Sequence, residues 1–296
     1  MKKVALYSRY SPQADFSYLW KLLRQVEQDG YLLAVEHNFA TFLRRHYQPL
    51  HEVETYQGYK DLPRDSELLI TYGGDGTILR AATIVRDTGI PLMGINAGRL
   101  GFLADIPKEN VLSAWQEYRA GKYHVQPRSL LSVSTEPERK LAKEINFALN
   151  EITVTRKDTT AMVNIEVYID DEYLSTYWAD GLIIATPTGS TGYSLSCGGP
   201  ILTPDTKDFV LTAIAPHNLT VRPLVLPDHH RIKLVAHGRE KQFLLSLDSR
   251  VMALPYGTEI HVSRAPFRIY FIRLEGYTFI RTLRRKLFWG YDNRNT

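Results

Sequence analysis

The hydrophobic pattern of this 296-residue chain changes its period near Gly121, and this change most constrains the fold. Before Gly121, short apolar runs alternate with segments whose apolar residues recur every three or four positions, which is typical of parallel strands joined by helices. After it, apolar and polar residues alternate, as in 163–170, which predicts half-buried strands. We therefore predict a Rossmann-like α/β domain followed by a β-rich, sandwich-like domain.

The strand pattern also predicts where the domains divide. Four apolar strands are expected in the first part, at 4–7, 31–36, 68–71 and 91–95. The strands expected in the second part are 149–155, 163–169, 182–186, 210–215, 231–236, 243–247 and 267–274. We predict domains at 1–124 and 125–275 that share a cleft, with the helical segment 276–296 packing back on the first domain.

Composition excludes several classes of protein. The chain has 44% hydrophobic and 23% charged residues, and no run approaches the roughly 18 apolar residues of a membrane helix. Only four apolar residues follow the basic N-terminus, too few for a signal peptide, and Cys197 is the only cysteine. We therefore predict a cytoplasmic protein. The net charge of +4 suits anionic ligands such as nucleotides.

Basic residues near the C-terminus recur at helical spacing among apolar ones. They are Arg281, Arg284, Arg285 and Lys286. We interpret them as the solvated face of a terminal helix rather than as a patch for nucleic acid or membrane, and we predict neither as a partner.

The segment Gly73-Gly74-Asp75-Gly76-Thr77 follows an apolar strand and precedes a helical pattern. Glycines let a phosphate approach backbone N–H groups, and the helix that follows presents its positive end. The segment predicts a nucleotide or phosphate site, although an Asp-Gly pair also occurs in hairpin turns. Arg80, one turn into the helix, could contact a phosphate or be a solvated arginine. The Walker pattern is absent, and G-x-G-x-x-G fails at Leu79.

Two further clusters follow along the chain. Asp180 precedes an apolar strand that leads into a loop of glycines and hydroxyl residues, 186–196, whose groups suit phosphate and ribose oxygens. A G-x-S-x-G nucleophile elbow fails there because Thr188 occupies the first glycine position. Asn150-Glu151 opens an earlier strand, where an amide beside a carboxylate can bind an adenine edge and a ribose hydroxyl, although a surface strand start would look the same.

Together these clusters resemble the NAD kinase family over roughly residues 68–250. The segment 96–103 is also similar to the family segment that follows the G-G-D-G motif. The G-G-D-G-T string is shared more widely with diacylglycerol and sphingosine kinases. The resemblance implies transfer of the γ-phosphoryl group of ATP to the 2′-hydroxyl of NAD's adenine ribose. It also implies Mg²⁺ with ATP, and a homodimer or homotetramer.

Site roles carried over from the family are implied by the resemblance alone. Asp75 would be the catalytic base, and Asp75-Gly76 would contact the nucleotide. Asn150 and Glu151 would bind the adenosine. Asp180 would bind the nicotinamide end of NAD, either in its own subunit or across a subunit interface. Thr191, Gly192 and Tyr193 would line the adenine pocket, and Ser194, Leu195 and Ser196 would also bind the nucleotide.

Two positions depart from the family pattern. Gly192 stands where members often carry Ala, and Arg250, in Leu247-Asp248-Ser249-Arg250, stands where many carry Gln, so the resemblance assigns Arg250 no role. No His, Cys and Asp cluster has the spacing of a built-in metal site, and 228–230 is interpreted as a turn.

Two other functions stay open at this point. One is a lipid kinase that uses the same G-G-D-G-T element, and the other is a non-catalytic NAD-binding sensor with a kinase-derived fold. The sequence also leaves open polyphosphate as a donor and NADH as an acceptor.

Overall fold

The computed structural model of the chain describes residues 1–9, 14–98, 101–139, 145–157, 161–239 and 241–289. It divides into two compact units. Unit 1 comprises Met1–Pro127 and Ile269–Thr296, and unit 2 comprises Arg128–Arg268.

Unit 1 is built on an eight-stranded sheet. Its strands are β1 (Lys2–Ser8), β2 (Tyr31–Glu36), β3 (Glu54–Tyr56), β4 (Ser66–Gly73), β5 (Leu92–Asn96), β6 (Ile106–Pro107), β7 (Tyr123–Arg128) and β20 (Ile269–Leu274). They lie in the order β3-β2-β1-β4-β5-β20-β7, with β6 paired to β5. The pairs from β3 through to β20 are parallel.

Four α-helices of unit 1 lie between its strands along the chain, and a fifth follows β20 in the described residues. They are α1 (Ser17–Gln28), α2 (His37–His46), α3 (Asp75–Val85), α4 (Val111–Arg119) and α6 (Phe279–Leu287). Amphipathic spacing explains α1, which buries Leu19, Leu23 and Val26 on one face. At the start of α2, the Glu36 carboxylate accepts from the Phe39 backbone N–H and caps the helix.

The strand order of unit 1 reverses direction at β1. From β1 the sheet continues to β2 and β3 on one side and to β4 and β5 on the other. In sheets of this kind, ligands bind outside the carboxyl ends of the strands at such a reversal. Ser8 at the end of β1 and Gly73 at the end of β4 therefore lie at the edge where a ligand is expected.

Unit 2 consists of two antiparallel six-stranded sheets with one shared core. Their strands are β8 (Leu131–Glu136), β9 (Phe147–Ala148), β10 (Glu151–Arg156), β11 (Val163–Ile169), β12 (Glu172–Ala179), β13 (Gly181–Ala185), β14 (Asp208–Ile214), β15 (Leu224–Pro227), β16 (Ile232–His237), β17 (Gln242–Leu247), β18 (Arg250–Pro255) and β19 (Glu259–Arg264). The strands of the first sheet lie in the order β15-β14-β13-β10-β17-β18, and those of the second in the order β12-β11-β16-β19-β8-β9. A short helix, α5 (Tyr193–Ser196), follows β13.

The core of unit 2 explains why period-two patterns fold this way. Val163, Ile165 and Val167 of β11 are fully buried, and they belong to the same apolar cluster as Leu182 and Leu245 of the other sheet. The predicted combination of a parallel α/β domain and an antiparallel β-rich domain is confirmed.

The boundary between the units differs from the predicted one. The sequence pattern places 267–274 in the second domain, but β20 pairs with β5 of unit 1, Phe271 beside Leu92. Five of the six β20 residues are buried, which is typical of a strand covered on both faces in a parallel sheet. Unit 1 therefore extends to Pro127 and resumes at Ile269, and the predicted helix α6 also belongs to it.

Candidate functional site

The glycine-rich segment forms the junction between β4 and α3, with Gly74 as the helix N-cap. A Cβ at Gly73 would collide with the Thr77 side chain, so a residue larger than glycine does not fit there. Asp75 and Gly76 are the first residues of α3, where backbone N–H groups without helical partners create positive potential. The junction therefore offers an anion site at the reversal of the sheet.

Asp75 is held by the backbone of a following loop. Its carboxylate accepts N–H groups from Phe102 (2.9 Å), Leu103 (3.1 Å) and Ala104 (3.0 Å). A Cβ on Gly101 would overlap the Asp75 carboxylate, so that glycine is what lets the loop close. A carboxylate has about four acceptor positions, which leaves about one for a hydroxyl donor.

A buried ion pair stands behind this loop. Arg273 of β20 donates from Nη1 to Asp105 Oδ2 at 2.6 Å, and both side chains are 7% exposed. The same nitrogen lies 3.5 Å from the Leu103 carbonyl, and Nε donates to Gln126 Oε1 at 3.2 Å. The pair therefore fixes the segment whose N–H groups hold Asp75. Sequence reasoning missed it, because 168 residues separate its members.

A cavity of about 370 Å³ lies in unit 1 at the carboxyl ends of the first three strands. Arg80 lines it from α3, opposite Ser8 and Arg9 at the end of β1. Polar side chains of Glu36, Asn38 and Gln57 complete the lining together with Tyr7, Phe39 and Ile84. The structure thus places Arg80 at a polar cavity beside the glycine-rich junction, where sequence left it as either a ligand contact or a solvated residue.

In unit 2, Asn150 and Glu151 meet the loop that follows β13. The Thr186 backbone N–H donates to the Asn150 carbonyl at 2.9 Å, and Thr186 Oγ1 donates to the Leu149 carbonyl at 2.6 Å. A Cβ at Gly189 would collide with the Asn150 backbone. The Cβ of an alanine at position 192 would lie 3.1 Å from Glu151 Oε2, which is a tight contact. The two clusters that sequence singled out separately are therefore in direct contact and form one surface.

Two side-chain oxygens of this surface have no hydrogen-bond partner among the described residues. Asn150 Oδ1 and Glu151 Oε2 are buried and accept no hydrogen bond from the described residues. Burial, and next the charge of Asp248, raise the pKa of Glu151 to about 7, although the Tyr193 backbone N–H opposes the shift. Buried polar atoms are nearly always satisfied in native proteins, so two open acceptors side by side indicate a ligand site.

The predicted residues of 191–196 do not all face this surface. The Tyr193 ring is 44% exposed and available for stacking. Ser194 is fully buried and its hydroxyl pairs with Thr212 Oγ1 at 2.9 Å, so it packs inside unit 2. Thr191 Oγ1 donates to the Thr188 carbonyl, which shapes the turn, while Leu195 is partly buried and Ser196 is exposed.

Asp180 lies at the opposite end of the β10–β13 pair from Glu151. Glu151 stands beside Ala185, whereas Asp180 forms a bidentate ion pair with Arg156, with both N–O distances at 3.0 Å. Five strand positions separate Glu151 from Arg156, which corresponds to about 16 Å at roughly 3.3 Å per residue. The structure does not bring Asp180 together with the Asn150–Glu151 surface of the same unit.

In the part of the chain that the structure describes, no helix has the length and apolarity needed to cross a membrane.

Comparisons with known proteins agree across the whole chain. The model of the ATP-NAD kinase N-terminal domain matches residues 21–123, and that of the ATP-NAD kinase C-terminal domain matches 149–274. The NAD kinase of Flavobacterium johnsoniae is 47% identical over 293 residues, which cover 99% of this chain and all of that protein. The NAD kinase of Porphyromonas gingivalis is 39% identical over 291 residues, with 98% and 99% covered.

Solved structures give the same result. The yeast NADH kinase in complex with NADH superposes with a TM-score of 0.88 at 25% identity, covering all of this chain and 90% of the yeast one. An NAD kinase from Archaeoglobus fulgidus in complex with ATP shares the fold, with a TM-score of 0.71 over 96% and 98% of the two chains. The identity to relatives over nearly their full length shows that this chain belongs to the NAD kinase family of phosphotransferases.

Proposed function

We propose that the chain transfers the γ-phosphoryl group of ATP to the 2′-hydroxyl of NAD's adenine ribose, giving NADP. The observation that carries this proposal is the Asp75 carboxylate, held by three backbone N–H groups at the N-terminus of α3 with an acceptor position left over. That group can receive a hydroxyl proton next to a helix end that attracts phosphate.

Phosphoryl transfer requires alignment and charge neutralisation more than covalent chemistry. We assign Asp75 the role of orienting the ribose hydroxyl and taking its proton as the new O–P bond forms. The backbone N–H groups of the Gly73–Gly76 junction lie next to this carboxylate and would face the phosphate oxygens. Arg80, at the adjoining cavity, would add positive charge for the donor nucleotide.

The adenosine of NAD is assigned to unit 2. Asn150 Oδ1 can accept from an adenine amino group, and the Glu151 carboxylate can accept from ribose hydroxyls, which would satisfy both open atoms. The exposed Tyr193 ring supplies a face for the base, and the absence of a Cβ at Gly192 avoids a tight contact with Glu151 Oε2.

Magnesium is expected as the counter-ion of the ATP substrate. Mg²⁺ prefers oxygen ligands and keeps several waters, so phosphate oxygens would provide much of its coordination. Within the described ranges, the cluster of three possible ligands that the structure shows, Glu136, Glu259 and His261, lies on β8 and β19 rather than beside Asp75. The cation would therefore enter with ATP.

A second copy of the chain would explain the position of Asp180. With about 16 Å between Asp180 and Glu151 along the strands, Asp180 would serve the nicotinamide end of NAD bound mainly by a neighbouring copy. We propose a homodimer or homotetramer, which light scattering would reveal as a mass of at least twice 33.9 kDa. A cytoplasmic location stays a prediction from the sequence.

Gly101→Ala should lower kcat for NADP formation by about 10²-fold, because the added methyl group overlaps the Asp75 carboxylate and displaces it. Gly98→Ala is the matched control, since a Cβ at Gly98 would meet no heavy atom of the described residues within 4 Å. Steady-state kinetics of the two variants checks this. Equal activity of both would show that the position of Asp75 is not critical.

Glu151→Gln should stabilise the protein at pH 8 while raising KM for NAD. The folded pKa of about 7 lies above the ordinary 4.5, so between these values the folded state binds more protons and stability falls as pH rises. Removing the charge should therefore stabilise the folded state by about 3 kcal/mol at pH 8 and by almost nothing at pH 4. Urea unfolding across this pH range measures it, with exposed Glu136→Gln as control. An unchanged pH profile in Glu151→Gln would contradict the prediction.

The proposed function is tested by NADP formation from NAD, ATP and Mg²⁺ with the purified chain, alongside calorimetric NAD binding. Turnover with ATP supports the proposal, and parallel reactions with polyphosphate and NADH define the donor and acceptor. NAD binding without turnover from either donor would favour the sensor. Phosphorylation of a lipid alcohol without NAD binding would favour the lipid kinase.

A further inference from the structure

We infer that Arg250 is a positioning residue that acts through Asp248 to fix Asn150 and Glu151 in their adenosine-binding geometry. This inference rests on the proposed function and adds a residue to it. It concerns unit 2 alone, and it gives a role to the position at which this chain departs from the Gln of many family members.

Asp248 holds the turn that presents the binding pair. Its carboxylate accepts the backbone N–H groups of Leu149 (3.0 Å), Asn150 (2.8 Å) and Glu151 (3.3 Å). Its own N–H donates to the Glu151 carbonyl at 2.9 Å. Asp248 adopts a left-handed φ of 52°, a conformation that aspartate tolerates better than most residues. Four hydrogen bonds thus join a single residue to three consecutive positions.

Arg250 in turn bonds to the chain on both sides of this contact: to the end of β17 before Asp248, and to the segment before Leu149. Nε donates to the Leu247 carbonyl at 3.1 Å, Nη1 to the Ile145 carbonyl at 3.1 Å, and Nη2 to the Phe147 carbonyl. Nη2 also lies 3.4 Å from Asp248 Oδ2, whose side chain is only 4% exposed. The planar guanidinium therefore ties β17 to the segment that leads into Asn150, and it compensates the buried charge of Asp248.

Glutamine could not reproduce this set of contacts. Its amide has two N–H donors on one nitrogen and no charge, whereas Arg250 uses three nitrogens on three carbonyl groups. The atoms being positioned, Asn150 Oδ1 and Glu151 Oε2, accept no hydrogen bond from the described residues. Their position therefore depends on the backbone of the turn, together with the Tyr193 N–H that bonds to the Glu151 carboxylate. A shift of that turn would misplace both acceptor oxygens, while the Asp75 carboxylate and the binding of ATP would be unaffected.

The test compares Arg250→Met, Arg250→Gln and Arg250→Lys with Arg264→Met. Arg264 is the matched control, because it also pairs with a buried carboxylate of unit 2, Asp228 at 2.8 Å, and is not in contact with the 149–151 turn in the described structure. Each variant is assayed for KM of NAD, KM of ATP, kcat, melting temperature, and NAD affinity by calorimetry.

Arg250→Met should raise both KM and Kd for NAD about tenfold, with kcat and KM for ATP within about twofold. Arg250→Gln and Arg250→Lys should give smaller increases, since each keeps a donor. Arg264→Met should lower the melting temperature without changing KM for NAD. If Arg250→Met does not fold, a rise of Kd in Arg250→Gln and Arg250→Lys above that of Arg264→Met supports the inference.

Two results would overturn the inference. One is an unchanged NAD affinity in every folded Arg250 variant, and the other is an equal loss of affinity in Arg264→Met. Because calorimetry needs no turnover, a wild-type chain that binds NAD but makes no NADP would contradict the proposed function and still leave this comparison decisive.

Discussion

Asp75→Asn is expected to lower kcat for NADP formation by about 10²–10⁴-fold while the Kd of NAD stays within a few-fold of wild type. The amide cannot take the proton of the ribose hydroxyl. It also offers a single acceptor oxygen to the three N–H groups that Phe102, Leu103 and Ala104 direct at the carboxylate. Single-turnover and steady-state kinetics, with NAD binding by calorimetry, separate the loss of chemistry from the loss of binding.

The structural part of this effect needs its own control. Asp61 of unit 1 accepts the backbone N–H groups of Gln57 (2.8 Å) and Gly58 (2.9 Å), so Asp61→Asn disturbs a similar amide–carboxylate arrangement away from the glycine-rich junction. We expect that variant to retain kcat. If Asp75→Asn reduces kcat by less than about threefold, Asp75 anchors the loop and another group accepts the proton.

The parts of the site that sequence could predict are those whose chemistry is local. The glycine-rich junction follows its strand and begins its helix within five residues, and the Asn150-Glu151 pair is adjacent in the chain. Such segments can be singled out from the sequence as candidates, while their roles came from the family resemblance. The alternating pattern of β11 likewise predicted a sandwich core, because burial on one face of a strand has a period of two.

What sequence could not predict depends on residues brought together by topology. Asp105 meets Arg273 across 168 positions, and Asp248 meets Leu149 across 99. Neither pair has a local pattern that distinguishes it from ordinary charged residues. The strand β20 was predicted in the wrong sheet for a related reason: an apolar run predicts a buried strand but does not identify its neighbours.

Arg273→Met should reduce the free energy of unfolding of unit 1 by about 3–5 kcal/mol, because it removes the guanidinium that compensates a buried carboxylate. The Arg273 and Asp105 side chains are each 7% exposed, so water cannot replace the lost contact easily. Thermal and urea unfolding followed by circular dichroism measure the change. Lys2→Met is the control, since Lys2 pairs with Glu67 on the surface and its loss should leave the unfolding midpoint unchanged.

A double variant separates charge from positioning. Arg273→Met with Asp105→Leu removes both charges, and it should recover most of the lost stability because an apolar pair can replace a buried ion pair. Arg273→Met should also lower kcat, and the double variant should not restore it, since the contacts of Arg273 with Leu103 and Gln126 remain absent and the loop that holds Asp75 is less constrained. Recovery of both stability and kcat in the double variant would show that the ion pair serves stability alone. A wild-type melting temperature in Arg273→Met would show that the ion pair does not stabilise unit 1.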